Sequence, residues 1–431
     1  MSKMKKVLII TYYWPPAGGP GVQRVLKFAK YLPQFGWQPI ILTVQYPNSP
    51  TEDKSLLSQI PKTCKVYKSK TFEPFDLYRK FTGKKSDENI PKNILEKRSN
   101  ENIKERFSKW IRSNLFVPDA RIGWIHNIKK VGIKIIEKEN PDIIFSSSPP
   151  HSLQIGAKKL AKKSGLKWVA DFRDPWNEAY WLQELNQNRF VKKMNQYFEK
   201  SVLKNANSIS TISSGIVSLM RNKVDNEYHI IHNGADEIVS STMKSNKFII
   251  LFLGSLSKHH NITSLLNAIS SLSENVRNNL ELRFVGKIFD GHLKTIKNYK
   301  NFKIIIRDYL PYQKAMSLAK ESSILYKPNA MSSYSNSTIG AKTYDYLSLR
   351  KPILVIGKGG SAIKIILDDT KSGRFFENND MRGIEGFLLN YYNIWLNQKY
   401  IILNNKEKLE KYTTIYNVEK LSNIFNKVVG K

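Results

Sequence analysis

Cysteine is almost missing from this chain. Its 431 residues hold one, Cys64, which excludes a disulfide framework and a cysteine-built metal cluster. It fits a reducing, cytoplasmic location. There is also no apolar run of about 18 residues, the length a membrane-crossing helix needs. The opening MSKMKKVLII is basic and then only briefly apolar, so a strand is expected there and not a signal peptide. Acidic residues are scarce: 36 Asp and Glu stand against 69 Lys and Arg, a net charge of +33. That imbalance points to three kinds of partner: an anionic membrane face, anionic substrates, or nucleic acid. Nucleic acid ranks last, because no binding signature accompanies the charge. Part of the excess is compositional, in a chain rich in Asn, Ile, Ser and Lys.

What the chain does have is alternation. Val7-Leu8-Ile9-Ile10 reads as a buried strand. Val22, Val25, Leu26, Ala29 and Leu32 then follow at helical spacing, and Pro39–Val44 is the next strand. Residues 46–115 are polar and basic with little periodicity, which predicts an insertion of loops and one or two helices. Strand and helix patterns resume with IGWIHNIKKVGIKIIEKE, PDIIFSSS, HSLQIGAKKLAKKSG, KWVADFRDPW, SISTISSG and YHIIHNGAD. A second set restarts at KFIILFLGSLS and runs through LELRFVGK, FKIIIRD, PYQKAMSLAKES, ILYKPN and KPILVIGKGG. Such alternation implies parallel sheets with right-handed crossovers. Two sets imply two Rossmann-like, doubly wound α/β domains. The expected boundaries are 1–240, 241–385, and 386–431 for C-terminal helices packing back on the first domain.

Open parallel sheets bind ligands beyond the carboxyl ends of their strands, so the residues following each strand carry the weight. After the first strand stand Gly18, Gly19, Pro20 and Gly21, opening a helix. The spacing is neither the dinucleotide fingerprint nor a phosphate loop. The loop offers bare backbone at a helix N-terminus, or is only a tight turn. His151 follows SSSPP and is either a base or an exposed histidine near a helix start. Asp171, Arg173 and Asp174 close a strand beside Trp176; they could orient hydroxyls or form an internal ion pair. In the second half, Gly254, Ser255, Lys258 and His260 mark a strand mouth suited to an anion, or a solvated loop. Lys342 and Asp345 share a helix face. The lysine suits a phosphate and the carboxylate a ribose, or the two are an ordinary surface pair. No metal-ligand spacing accompanies His259 and His260.

Taken together, these blocks resemble the retaining nucleotide-sugar glycosyltransferases of family 4, which have the GT-B fold. KVLIITYYWPPAGGPGVQRVLKFAKYLPQFGWQPIILT is similar to the family's first strand, glycine loop and helix. WVADFRDPW is similar to its acceptor-side segment, and FLGSLSKHHNITSLLNAI and GAKTYDYLSLRKPILVIG to its donor-binding blocks. The chain departs from the family at three places. Ser255 and His260 stand where an Arg and a Lys usually hold the diphosphate. Ser337 stands where the first of two glutamates usually lies, with Asp345 matching the second. Arg173-Asp174 replaces a common His-Asp pair.

The resemblance implies two domains facing across a cleft and sugar transfer with retention. No metal or other cofactor is expected. The donor is a nucleoside-diphosphate sugar, and the acceptor a glycan or a polyprenyl-diphosphate-linked one, as in capsule or O-antigen synthesis. The implied catalytic residues are His151, Asp171, Arg173 and Asp174. The implied donor-binding residues are Gly18, Gly19, Gly21, Gly254, Ser255, Lys258, His260, Lys342 and Asp345. The charge suits a peripheral location at the inner face of the plasma membrane, with the first domain and residues 65–110 as the contact. Two other readings are a non-catalytic scaffold of a glycan-assembly complex and a sugar-nucleotide epimerase of the same fold.

Overall fold

A computed structural model describes residues 4–47, 49, 52–71, 113–114, 116–179, 182, 185, 187–330, 336–337 and 339–430. The chain divides into two compact units: Met1–His232 with Asn417–Lys431, and Asn233–Tyr416.

The first unit is a seven-stranded parallel sheet. Its strands are β1 (Lys5–Thr11), β2 (Trp37–Val44), β3 (Lys65–Ser69), β4 (Ile143–Ser148), β5 (Trp168–Phe172), β6 (Ser208–Thr211) and β7 (Tyr228–Ile230), in the order β3-β2-β1-β4-β5-β6-β7. The reversal of direction falls between β1 and β4. Helices cover both faces: α1 (Pro20–Tyr31), α2 (Ile125–Glu139), α3 (Ser152–Ser164), α4 (Arg189–Asn205) and α5 (Ser214–Arg221). A sheet buried on both sides needs near-continuous apolar strands. In β1, Leu8 and Ile10 enter one core while Val7 and Ile9 enter the other. Helix α3 stops at Gly165, whose φ of 75° is the left-handed cap that glycine adopts freely.

The second unit has six parallel strands: β8 (Phe248–Leu253), β9 (Leu280–Val285), β10 (Lys303–Arg307), β11 (Ile324–Pro328), β12 (Ile353–Gly357) and β13 (Gly373–Glu377). Their order is β10-β9-β8-β11-β12-β13, with the reversal between β8 and β11. Its helices are α6 (Thr263–Ser271), α7 (Glu274–Asn279), α8 (Asp290–Ile296), α9 (Tyr312–Glu321), α10 (Lys342–Ser348), α11 (Ser361–Thr370), α12 (Met381–Gln398) and α13 (Lys406–Leu409). Ile250 and Phe252 face one core, and Ile249 and Leu251 the other. Helix α12 packs on this sheet through Ile384, Leu388, Tyr392 and Trp395. The last helix, α14 (Thr414–Gly430), returns to the first unit and buries Val418, Leu421, Phe425 and Val428 against β1 and α1 side chains.

The stretch expected to be an insertion of loops holds β3, which pairs in parallel with β2 from Ile40–Lys65 to Val44–Ser69. Only a narrow alternation marks it, because an edge strand buries one side. Lys65 and Tyr67 both reach the buried carboxylate of Glu139 on α2. Residues 72–112, the bulk of the expected basic insertion, lie outside the described residues.

Candidate active site

The second unit places a cationic pair at its switch point. Helix α10 begins with Lys342, and its Nζ lies over Gly254, the residue that ends β8. Gly254 has φ of 140°, and any side chain there would collide with that ammonium. Next to it, Gly286 ends β9 with φ of 124°, and a side chain there would strike the Gly254 backbone. The two glycines keep the strand mouth open. Their own N–H groups are already used: Gly254 donates to Val285 O at 2.8 Å and Gly286 to Arg307 O at 2.9 Å. What they supply is room, not donors.

Lys327 is the second cation. It lies in β11, on the same sheet face as Leu325 and next to β8 across the switch point. Burial pushes its ammonium down to about 8. Burial also lowers Lys342, against the opposing pull of the Asp345 charge. No hydrogen bond or ion pair to either Nζ is found among the described residues. Lys327 is half-buried with no carboxylate opposing it, an arrangement that is costly for an ammonium, while Lys342 is exposed at the start of α10 with Asp345 one turn along. Sequence reading missed Lys327. The available signal was a lysine inside the otherwise apolar run ILYKP.

His260 is not a further cation. Burial, followed by lesser terms that include the Lys327 charge, holds its ring down to about 4. Its Nδ1 takes the Ser257 N–H at 3.0 Å. A neutral imidazole with one nitrogen occupied offers at most one further polar contact. Lys258 and Ser255 are exposed beside it. Asp345, one turn along α10 from Lys342, accepts the Tyr312 hydroxyl at 3.0 Å.

In the first unit, Asp171 sits at the end of β5 with no exposure. Arg24 of α1 grips it at 3.0 and 2.7 Å, and Ser147 and Ser210 donate at 2.7 and 2.8 Å. Burial alone would raise its pKa, but the Arg24 charge and these four bonds hold it below the usual carboxylate range. With its oxygens filled, Asp171 is an internal ion pair that orders the sheet mouth. This corrects its expected contact with substrate.

Arg173 is also buried and donates to three carbonyls: Ser148 at 3.1 Å, Gly21 at 2.6 Å and Pro149 at 2.7 Å. A Cβ at Gly21 would stand 2.6 Å from its Nη1. Gly21 is therefore bare to admit an arginine, not a ligand. Gly18 and Gly19 remain at the accessible end of that loop, and Gly19 caps α1 with φ of 102°.

His151 stacks on Trp176 with centroids 4.9 Å apart and planes 11° apart. Neither ring nitrogen meets hydrogen-bond geometry, although the Pro175 backbone is near enough to favour the charged form slightly. Burial first, then the Arg173 charge, lowers its pKa to about 3. It is a neutral ring packed in an aromatic stack and not a base poised near neutrality. Asp174 remains as the partly exposed acid of the first unit. Burial raises its pKa, and the Arg173 charge works against that. The structure thus gathers His151, Asp171, Arg173, Asp174 and the glycine loop at one mouth of the first sheet. It gathers Gly254, Lys342, Asp345 and Lys327 at the corresponding mouth of the second. Among the described residues, no group of three His, Cys, Asp or Glu could hold a metal ion.

Comparison with known proteins bears on the second unit and on the fold. Residues 235–407 match the model of glycosyl transferases group 1. No curated protein sequence matches the chain. Among solved structures, the chain is similar to sucrose-phosphate synthase from Thermosynechococcus elongatus (11% identity, TM-score 0.66, 99% of each chain covered). It is similar to a glycosyltransferase from Rickettsia africae (15%, TM-score 0.60, 99% of each). A third is Anabaena HepE in complex with UDP and glucose (10%, TM-score 0.58, 98% of this chain and 100% of that one). At such identities these structures speak for the fold. Residues 235–407, within the second unit, thus resemble glycosyl transferases group 1, and the two parallel sheets have the GT-B fold of the structures the chain is similar to.

Proposed function

We propose that the enzyme moves a sugar, with retention, from a nucleoside diphosphate to a glycan or polyprenyl-diphosphate-linked acceptor. The setting is cell-surface polysaccharide synthesis, such as capsule or O-antigen, at the inner face of the plasma membrane. The observation that carries the donor reading is the pair Lys327, half-buried, and Lys342, exposed, with no hydrogen bond or ion pair to either Nζ among the described residues, beside a strand mouth kept bare by glycine.

A departing nucleoside diphosphate gathers negative charge on its β-phosphate. Two ammoniums already gathered at the strand mouth would stabilise that charge. Asp345 would accept ribose hydroxyls, and Tyr312 would fix its carboxylate. No metal is required for this arrangement. On the acceptor side, Asp174 is the carboxylate left free to meet a hydroxyl, while Arg24–Asp171 and Arg173 hold its surroundings. The acceptor hydroxyl would attack from the face the phosphate leaves and pass its proton to that phosphate, giving retention. UDP is the first nucleotide to test, since the Anabaena relative was solved with UDP and glucose.

The test is a donor screen: the purified chain, a panel of nucleotide sugars and a lipid-linked acceptor, with product read by mass. Addition of one sugar from one donor supports the reading. Binding and turnover with none would favour the non-catalytic scaffold. Conversion of a donor into its epimer without transfer would favour the epimerase.

A further inference from the structure

Helices α2, α3 and α4 lie side by side over the same core of the first unit, burying Ile128, Ile135, Leu153, Leu160, Val202 and Leu203. Their outward faces are nearly all positive. On α4, Arg189, Lys192, Lys193, Lys200 and Lys204 are exposed, while its one acid, Glu199, is buried against Lys223 and Asn177. Helix α3 has no acid at all and exposes Lys159, Lys162 and Lys163. Helix α2 continues the pattern with four exposed lysines against one exposed acid, Glu137. The crowding shows in Lys158, whose pKa is lowered by burial and then by Lys159 and Lys162, with no carboxylate in opposition. Its Nζ donates to Ser201 Oγ at 2.7 Å, which ties α3 to α4.

Within this basic field α4 carries two large exposed aromatics, Phe190 at 71% and Tyr197 at 68%. They are seven residues apart, so they lie on one line of the helix. Lys193, Lys200 and Lys204 fall on its flank at helical spacing. Water gives no reason to hold two aromatic rings out on a helix in a ring of cations. An interface with apolar depth below a layer of negative headgroups does.

We infer that the α2–α3–α4 face is the membrane-docking surface: it lies on anionic lipid with Phe190 and Tyr197 inserted and the lysines on headgroup phosphates. This rests on the proposed membrane-side location and replaces residues 65–110 as the contact with a defined surface.

The test uses the full chain with vesicles alone, without donor or acceptor, so a wrong donor assignment does not affect it. Binding is compared between pure phosphatidylcholine vesicles and mixed phosphatidylcholine–phosphatidylglycerol vesicles, at low and high salt. Wild type should bind the anionic vesicles selectively and lose them in salt. Phe190→Ser with Tyr197→Ser, and separately Lys193→Glu with Lys200→Glu, should each weaken binding by about tenfold or more. Lys294→Glu with Lys297→Glu on the second unit should leave it unchanged. Every substituted position is exposed, and circular dichroism checks that each variant folds. Anionic vesicle binding by both α4 variants equal to wild type overturns the proposal. So does equal loss in the second-unit variant, or selective binding to duplex DNA with no vesicle binding.

Discussion

The Arg173 guanidinium donates to the Gly21 carbonyl at 2.6 Å, joining the end of β5 to the loop that opens α1 across 152 residues of chain. The same group holds Ser148 and Pro149 at the end of β4. One buried cation thus ties the ends of β4 and β5 to the first turn of α1, the helix that follows β1. Gly21→Ala places a methyl 2.6 Å from Nη1. Displacing the guanidinium removes its side-chain donors from the Gly21 and Pro149 carbonyls and leaves Ser148 only the Arg173 backbone N–H, at about 1–3 kcal/mol for each buried group left unpaired. Chemical denaturation should show a lower midpoint for Gly21→Ala. Gly21→Ala with Arg173→Ala, which relieves the collision, should be less than additive.

Asp171 and Asp174 are three residues apart and should behave differently. Asp171→Asn removes half of a fully enclosed ion pair with Arg24, and breaking such a pair costs about 3–5 kcal/mol. It should cut stability, with activity lost through unfolding. Asp174→Asn touches no such pair. It should retain the wild-type denaturation midpoint while lowering transfer about a hundredfold or more, in the range of a lost acid–base or orienting group. Equal stability loss in both variants would contradict this division.

Lys327 makes nucleotide binding and stability depend on pH in opposite ways. Its folded pKa is about 8, below the ordinary 10.5. Between those values the unfolded chain holds the proton that the folded chain has lost, so stability rises as pH rises through that window. Lys327→Met should therefore raise the melting temperature near pH 7, and the gain should shrink as pH approaches 10.5. Nucleoside-diphosphate affinity should fall as pH rises past about 8 in wild type, and this step should vanish in Lys327→Met.

His151 gives the acid side. Its folded pKa of about 3 lies below the ordinary 6.5. The unfolded chain takes up the proton first, so stability drops as pH falls from 6.5 toward 3. His151→Phe keeps a ring on Trp176 and should flatten that drop, measured as denaturation midpoints across the range.

The strands and their alternation were legible in the sequence, because a doubly covered parallel sheet needs unbroken apolar runs such as FIILFL and ILVIG. Edge strands β3 and β13 were not, since VYKS and GRFFE bury one side only. At the site, the loops to inspect were readable from the strand ends, and Lys342 and Asp174 stood out there as candidates. What could not be read was direction. Nothing in DFRD says that Asp171 turns inward to Arg24 while Asp174 stays near the surface. Nothing in GGPG says that Gly21 answers to an arginine 152 positions away. Lys327 went unnoticed because a lysine in a strand is legible only once its neighbours are known to be buried.

The account turns on two lysines forming the donor's diphosphate site, and calorimetric titration with nucleoside diphosphates tests this most directly. One diphosphate should bind the wild type, and Lys342→Met and Lys327→Met should each weaken it by about tenfold or more while the fold remains intact. Wild-type affinity in both variants, or no binding of any nucleoside diphosphate to the wild type, would contradict the account.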